Sequence, residues 1–395
     1  MKASADLHIE VLETLFTVAW GAAVTTGQRQ SMATAWSRCI GNPRPNTPEV
    51  APGTAGLPFT ASIYFDSKLP GVGVRHLGSD SFEGLAEAVT SEVTIAAILE
   101  RAGELTLLHA CGVSDPGGAV IALVAKSGTG KTTASSQLAR TFGYITDETV
   151  AIRADGSVVP YPKPLSVKQA TPGAAKLQVG PDELGLHVAP GEPRITAIAL
   201  LDRLAGADYQ LPIIEPVPLM EAVLALIPDT SSQTAVFQPL QSLCRLIDSV
   251  GGVFRVSYSE AADLVDSLAP LFLTDPKNPP EAAKSWSPAM KEPEMESVAD
   301  PAGEQPAEPI PAGWLQAAAA VDAVEIGEDL LVLTEAELTR LSGIGPIIWK
   351  SARRPISMQT LVSRIEALHG LPEGYEALLD EAVDGLVGRG LLLRD

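Results

Sequence analysis

The chain has 395 residues, 46% of them apolar, which is enough for two or three packed domains. Its net charge of −20 at pH 7 excludes non-specific binding to nucleic acid or to an anionic membrane, since both need basic surface. Cys39, Cys111 and Cys244 lie far apart without C-x-x-C spacing, which argues against a disulfide or zinc framework and fits a reducing cytoplasm. Residues 15–24 are apolar but too short to cross a bilayer, and they follow acidic residues rather than a basic leader.

Residues 1–104 mix strand and helix signals and predict an N-terminal α+β subdomain. Residues 8–20 alternate as a strand, and 28–39 read as a helix with Trp36 on its apolar face. A Pro- and Gly-rich loop covers 42–56. Strands follow at 60–65 and 71–76, separated by a turn at Lys68-Leu-Pro-Gly. Residues 82–102 carry apolar side chains at helical spacing and run into the next segment without a linker. Residues 105–272 alternate strands (119–124, 149–153, 197–201, 253–258) with helices (217–227, 239–249, 260–271), the pattern of an α/β sheet.

Residues 273–312 change character. Pro276, Pro279, Pro280, Pro288, Pro293, Pro301, Pro306, Pro309 and Pro311 recur among Glu, Ala and Ser, so the segment is expected to be a disordered linker. Residues 313–395 recover order as a small α+β domain. Residues 324–326 and 330–333 form a hairpin about Gly327-Glu-Asp, and 335–341 is a third strand or a helical turn. Helices are expected at 345–350, 357–369 and 375–388, with Gly390-Leu-Leu-Leu closing the unit.

The most informative stretch is 105–150. Residues 120–124 form a continuous apolar run, as in a parallel strand covered on both faces. Ala125-Lys-Ser-Gly-Thr-Gly-Lys-Thr-Thr follows, close to the phosphate-loop pattern G-x-x-x-x-G-K-[ST] with Ala125 in the first glycine's place. Backbone N–H groups of Ser127, Gly128, Thr129 and Gly130 would cradle phosphates, with Thr133 beside them. Lys131 reaches the β- and γ-phosphates, and Thr132 offers a hydroxyl to Mg²⁺. The helix from about 132 to 141 points its positive end at the anion. The cofactors expected are therefore ATP and Mg²⁺. The competing reading is a glycine-rich turn that holds no nucleotide.

Leu108-His-Ala-Cys-Gly lies one strand before this loop, and Thr146-Asp-Glu follows its helix. Together the three motifs resemble the HPr kinase/phosphorylase family, over about residues 80–270. The resemblance implies an HPr-kinase-like α/β P-loop core. It also implies catalytic roles for Asp147 (the acceptor's proton), Glu148 (the metal side, with Thr132), His109 (orientation) and Lys131. Glu148 and Ala125 depart from the family pattern, and no later HPr-contacting glycine-rich stretch is found. Lys163 and Lys168 read as ordinary surface charges, the alternative being that they steady phosphates, and neither is assigned a role.

Glu337-Leu-Thr-Arg-Leu-Ser-Gly-Ile-Gly, Ile348-Trp349, the two following helices and Gly390-Leu-Leu-Leu resemble the PqqD family of winged-helix-type peptide-recognition domains. That resemblance implies a precursor peptide as partner. Its leader would add as a strand near 337–341, facing a helix at 378–388. The bland alternative is a generic winged-helix fold that binds another protein. The joint expectation is a cytoplasmic ATP-dependent kinase acting on a Ser or Thr hydroxyl of a ribosomally made precursor peptide. The alternatives are a non-catalytic leader-binding scaffold for other peptide-modifying enzymes, or a nucleotide-hydrolysing switch.

Overall fold

The computed structural model describes residues 6–42, 56–67, 73–125, 130–204, 211–273, 286–290 and 310–394. They divide into two units, residues 1–236 with 246–283 and residues 237–245 with 284–395. The expected loop at 42–56 and the turn at 68–71 lie almost wholly outside the described residues.

The alternating run at 8–20 is not one strand. It folds as a hairpin of β1 (Leu7–Val11) and β2 (Thr14–Trp20), turning on Leu12 and Glu13 with φ of 46° and 62°. Two consecutive left-handed residues match the twist of a tight hairpin. After α1 (Thr26–Ala35), whose start is closed by a Thr25–Gln28 capping box, β3 (Phe59–Phe65) and β4 (Val74–Ser79) complete an antiparallel sheet in the order β1-β2-β3-β4. Helix α2 (Phe82–Glu100) packs across β3 and β4. It buries Leu85, Val89, Val93 and Ala97 in a core that also takes in Leu107, Ala151 and Tyr161.

Four strands come next in the chain: β5 (Thr106–Leu108), β6 (Ala110–Ser114), β7 (Ala119–Val124) and, beyond α3 (Lys131–Leu138), β8 (Gly143–Thr146). Then come β9 (Val150–Ile152), β10 (Val158–Val159), β11 (Leu165–Val167), β12 (Leu177–Val179), β13 (His187–Val188), β14 (Arg194–Arg203) and β15 (Ile213–Val217). Helix α4 (Leu219–Leu226), β16 (Thr230–Ser231), α5 (Pro239–Ser249) and β17 (Val253–Tyr258) follow. The central sheet has seven strands in the order β13-β8-β6-β7-β14-β17-β15. It is mixed, which corrects the expectation of a purely parallel strand at 120–124. Strand β7 runs antiparallel to β6 and parallel to β14. Its side chains are buried all the same, because Ile121 and Leu123 meet Ala134 and Leu138 of α3 in one core. The helix expected at 217–227 begins later, since Val217 pairs with Val253 in the sheet and Pro218 takes the cap position. The one expected at 260–271 is broken into α6 (Leu264–Leu268) between two 3-10 turns. Pro270 lacks the N–H that would continue an α-helix.

Residues 274–285 and 291–309 of the expected linker lie outside the described residues. Residues Trp286–Pro288 form β18. It pairs antiparallel with β20 (Asp322–Ile326), and Ala289 N–H donates to Ala323 O at 3.0 Å. Strand β19 (Trp314–Ala317) precedes β20, and β21 (Asp329–Leu333) and β22 (Leu338–Leu341) complete the sheet β18-β20-β21-β22. The stretch 335–341 therefore ends as a strand. Helices α7 (Gly345–Ser351), α8 (Met358–His369) and α9 (Tyr375–Gly388), with β23 (Ile356–Ser357) and β24 (Leu392–Arg394), enclose a core around Trp349, Leu361 and Val383.

Candidate functional site

Strand β7 delivers the chain to the phosphate-loop sequence from the middle of the central sheet. Ala125 is buried with a negative φ, so a Cβ is tolerated where the pattern has glycine. Ser127, Gly128 and Thr129 lie outside the described residues. Gly130 has φ 101° and caps α3, a backbone that an L side chain rarely adopts. Lys131 Nζ donates to Ala125 O at 2.6 Å, across the base of the loop. Burial is the main cause that lowers the pKa of this ammonium.

The acid pair follows β8. Thr146 Oγ1 accepts from the N–H groups of Glu148 and Thr149, both at 3.3 Å, and so fixes the turn. Asp147 Oδ1 accepts from Tyr144 OH at 3.2 Å, and its Oδ2 lies 3.5 Å from Thr132 Oγ1. Asp147 is buried, whereas the Glu148 side chain is 41% exposed.

Lys163 corrects the reading of a surface charge. Its side chain is 1% exposed, and its Nζ lies 2.9 Å from Asp147 Oδ1 and 3.1 Å from Glu148 Oε2. Burial pulls the ammonium pKa down, but the two carboxylates outweigh it and hold the pKa above the usual lysine value. Burial pushes Glu148 up, and the charge and hydrogen bond of Lys163 reverse this, so its carboxyl sits below its ordinary value. Lys168, by contrast, is exposed at the end of β11.

His109 falls between β5 and β6, and its N–H donates to Asp229 O at 2.6 Å. Burial, followed by the Lys131 charge, lowers the pKa of its imidazole, which favours the neutral form at pH 7. The glycine of the same motif has a packing reason. A Cβ on Gly112 would lie 3.0 Å from Val150 Cγ2 and 3.2 Å from Ile145 Cβ.

His109, Lys131, Thr132, Thr133, Asp147, Glu148 and Lys163 line one cleft of about 1510 Å³. Drug-sized ligand pockets span roughly 300–1,000 Å³, so the cleft is larger than such a pocket. Two residues absent from the sequence reading also belong to this site. Tyr144 bonds Asp147, and Arg203 brings its Nη1 to 3.9 Å from the position of a Gly130 Cβ. The proline-flanked Lys163, with bulky apolar neighbours on both sides, was the one legible hint of a fixed lysine.

Among the described residues no group of three or more His, Cys, Asp or Glu side chains is placed to hold a metal ion. Mg²⁺ accompanying a nucleotide needs less, because one or two carboxylates suffice beside phosphate oxygens and water. Thr132 Oγ1 and Asp147 Oδ2 fit that requirement, and the carboxylate beside Thr132 is Asp147 rather than Glu148.

No family model and no curated protein matches the chain. Among solved structures it is similar to the Hpr(Ser) kinase/phosphatase from Coxiella burnetii at 11% identity, covering 42% of this chain and 92% of that one, with a TM-score of 0.22. So low a score carries no argument about function. The fold itself is mixed α/β with a large mixed sheet. Among the described residues no helix is long and apolar enough to cross a membrane.

Proposed function

We propose that the chain is an ATP- and Mg²⁺-dependent kinase that phosphorylates a Ser or Thr hydroxyl of a precursor peptide. The observation that carries this reading is the approach of Thr132 Oγ1 to Asp147 Oδ2 at 3.5 Å, at the first turn after the phosphate loop. In P-loop enzymes a hydroxyl and an acid in this relation hold the metal on the β- and γ-phosphates. Lys131 would swing from Ala125 O to those phosphates. Bound Mg²⁺ would neutralise charge on the nucleotide. Glu148, the more exposed acid, would orient the acceptor hydroxyl and take its proton as the oxygen–phosphorus bond to the acceptor forms and the bond to ADP breaks. This exchanges the two acids relative to the roles implied by the HPr kinase resemblance. His109, neutral at pH 7, would hydrogen-bond a phosphate or carboxylate oxygen rather than pair with it as a cation.

The second unit would capture the leader. Its sheet already takes an extended segment of this chain, β18, at one edge. Strand β22 ends the sheet on the other side, with no further partner among the described residues. An added leader strand there would gain backbone hydrogen bonds, and tethering would raise the local concentration of the acceptor. A leader-binding scaffold without transfer is the second reading, favoured by the engagement of both acids with Lys163.

The test is incubation of the chain with its precursor peptide, ATP and Mg²⁺, read by mass. A gain of one phosphate group that is lost in Lys131→Ala supports the kinase. Leader binding without any mass gain supports the scaffold.

A further inference from the structure

Lys163 has three N–H donors, and all three are used. They go to Asp147 Oδ1 at 2.9 Å, Glu148 Oε2 at 3.1 Å and Pro164 O at 3.3 Å. No donor is spare for a phosphate, so the side chain cannot steady the nucleotide without giving up one of these three partners, of which the Pro164 carbonyl is the most distant. It is held where it is. Pro162 and Pro164 restrict the backbone on either side. Tyr161 N–H donates to Ile145 O at 3.0 Å, and its hydroxyl meets Thr94 Oγ1 at 2.7 Å. The Lys163 carbonyl accepts from Tyr144 OH at 3.3 Å, the same hydroxyl that reaches Asp147.

We propose that Lys163 is a positioning residue that serves as a built-in cation, standing between Asp147 and Glu148 where a two-metal phosphoryl-transfer site would hold its second ion. Two-metal sites place their ions about 4 Å apart and use both to neutralise charge. Here two carboxylates and one ammonium leave a single negative charge, suited to one divalent ion arriving with the nucleotide. The ammonium takes Asp147 Oδ1 and leaves Oδ2 facing Thr132. The site thus presents one carboxylate oxygen and one hydroxyl to one metal ion. This inference rests on the nucleotide-binding part of the kinase reading and not on phosphate transfer.

The experiment counts Mn²⁺ bound per chain in the presence of a non-hydrolysable ATP analogue, by electron paramagnetic resonance titration of the full chain. The wild type is expected to bind one ion with the nucleotide, and Lys163→Arg, which keeps the charge, is expected to do the same. Lys163→Met is expected to take up a second ion, because two unpaired carboxylates then face each other. Two ions in the wild type overturn the proposal, and that count needs no variant to fold. One ion in Lys163→Met also overturns it, leaving Lys163 a packing residue. If no Mn²⁺–nucleotide binds the wild type, this proposal and the kinase reading fall together. If one ion binds and no peptide is phosphorylated, the kinase reading alone falls.

Discussion

A lysine with 1% of its side chain exposed is costly to bury unless its charge is met, and Lys163 is met by two acids and a carbonyl. The same residue scale separates the two acids. Under the proposed assignment, Asp147→Asn raises the Mg²⁺ concentration needed for half-maximal transfer, whereas Glu148→Gln lowers kcat by about 10²–10⁴-fold with that requirement unchanged. A magnesium titration of both variants distinguishes them, and the reversed pattern would restore the opposite roles. His109 gives a pH signature. Its folded pKa lies below the ordinary value of 6.5, so the unfolded chain binds the proton more readily. The stability contributed by neutral His109 is therefore complete above that ordinary value and is lost as pH falls from it through the folded pKa. A His109→Gln variant should show a flatter fall in melting temperature between neutral and mildly acid pH. An unchanged slope would remove His109 from the acid sensitivity.

At the scale of elements, a Cβ on Gly112 of β6 would press on Val150 of β9 at 3.0 Å and on Ile145 of β8 at 3.2 Å. Gly112→Ala forces Val150 or Ile145 to give way and should cost about 1–3 kcal/mol, read as a lower thermal midpoint. In the second unit the buried Asp322 carboxylate supplies a helix cap from a distant strand. It accepts from Gln241 N at 3.0 Å, Gln241 Nε2 at 2.8 Å and Ala323 N at 2.8 Å. Gln241 lies in the first turn of α5, where backbone N–H groups lack intrahelical partners. Asp322→Ala should lower stability by about 1–2 kcal/mol in urea unfolding, the usual range for losing a cap. The helix expected at 260–271 stops at Leu268, because Pro270 lacks the N–H that would continue it, and the chain goes on as a 3-10 turn.

At the scale of the whole molecule, the net charge of −20 makes self-repulsion a general cost. Raising monovalent salt from low to physiological ionic strength shortens the Debye length to about 8 Å and should raise the melting temperature. A melting temperature that falls with salt would mean that attractive surface pairs outweigh the repulsion. Each unit has its own apolar core, the second built around Trp349, Leu361 and Val383. Leader capture and phosphate transfer are accordingly proposed as separable functions of one chain.

The sequence by itself determined the elements whose signals are local. The periodicity of Ala119–Val124, Pro239–Ser249, Val253–Tyr258 and Tyr375–Gly388 set their bounds, and Gly130, Lys131 and Thr132 carried the phosphate-loop pattern on which the proposal rests. Only the tertiary structure decided what depends on partners distant in the chain. It made the central sheet mixed, because strand direction depends on which neighbour β7 pairs with. It turned Trp286–Pro288 from linker into strand, because the edge of β20 supplies the hydrogen bonds that the segment cannot make alone. It also turned Lys163 from a surface charge into the cation between two acids, because burial and charge pairing arise only when residues 144–148 and 161–164 are folded together.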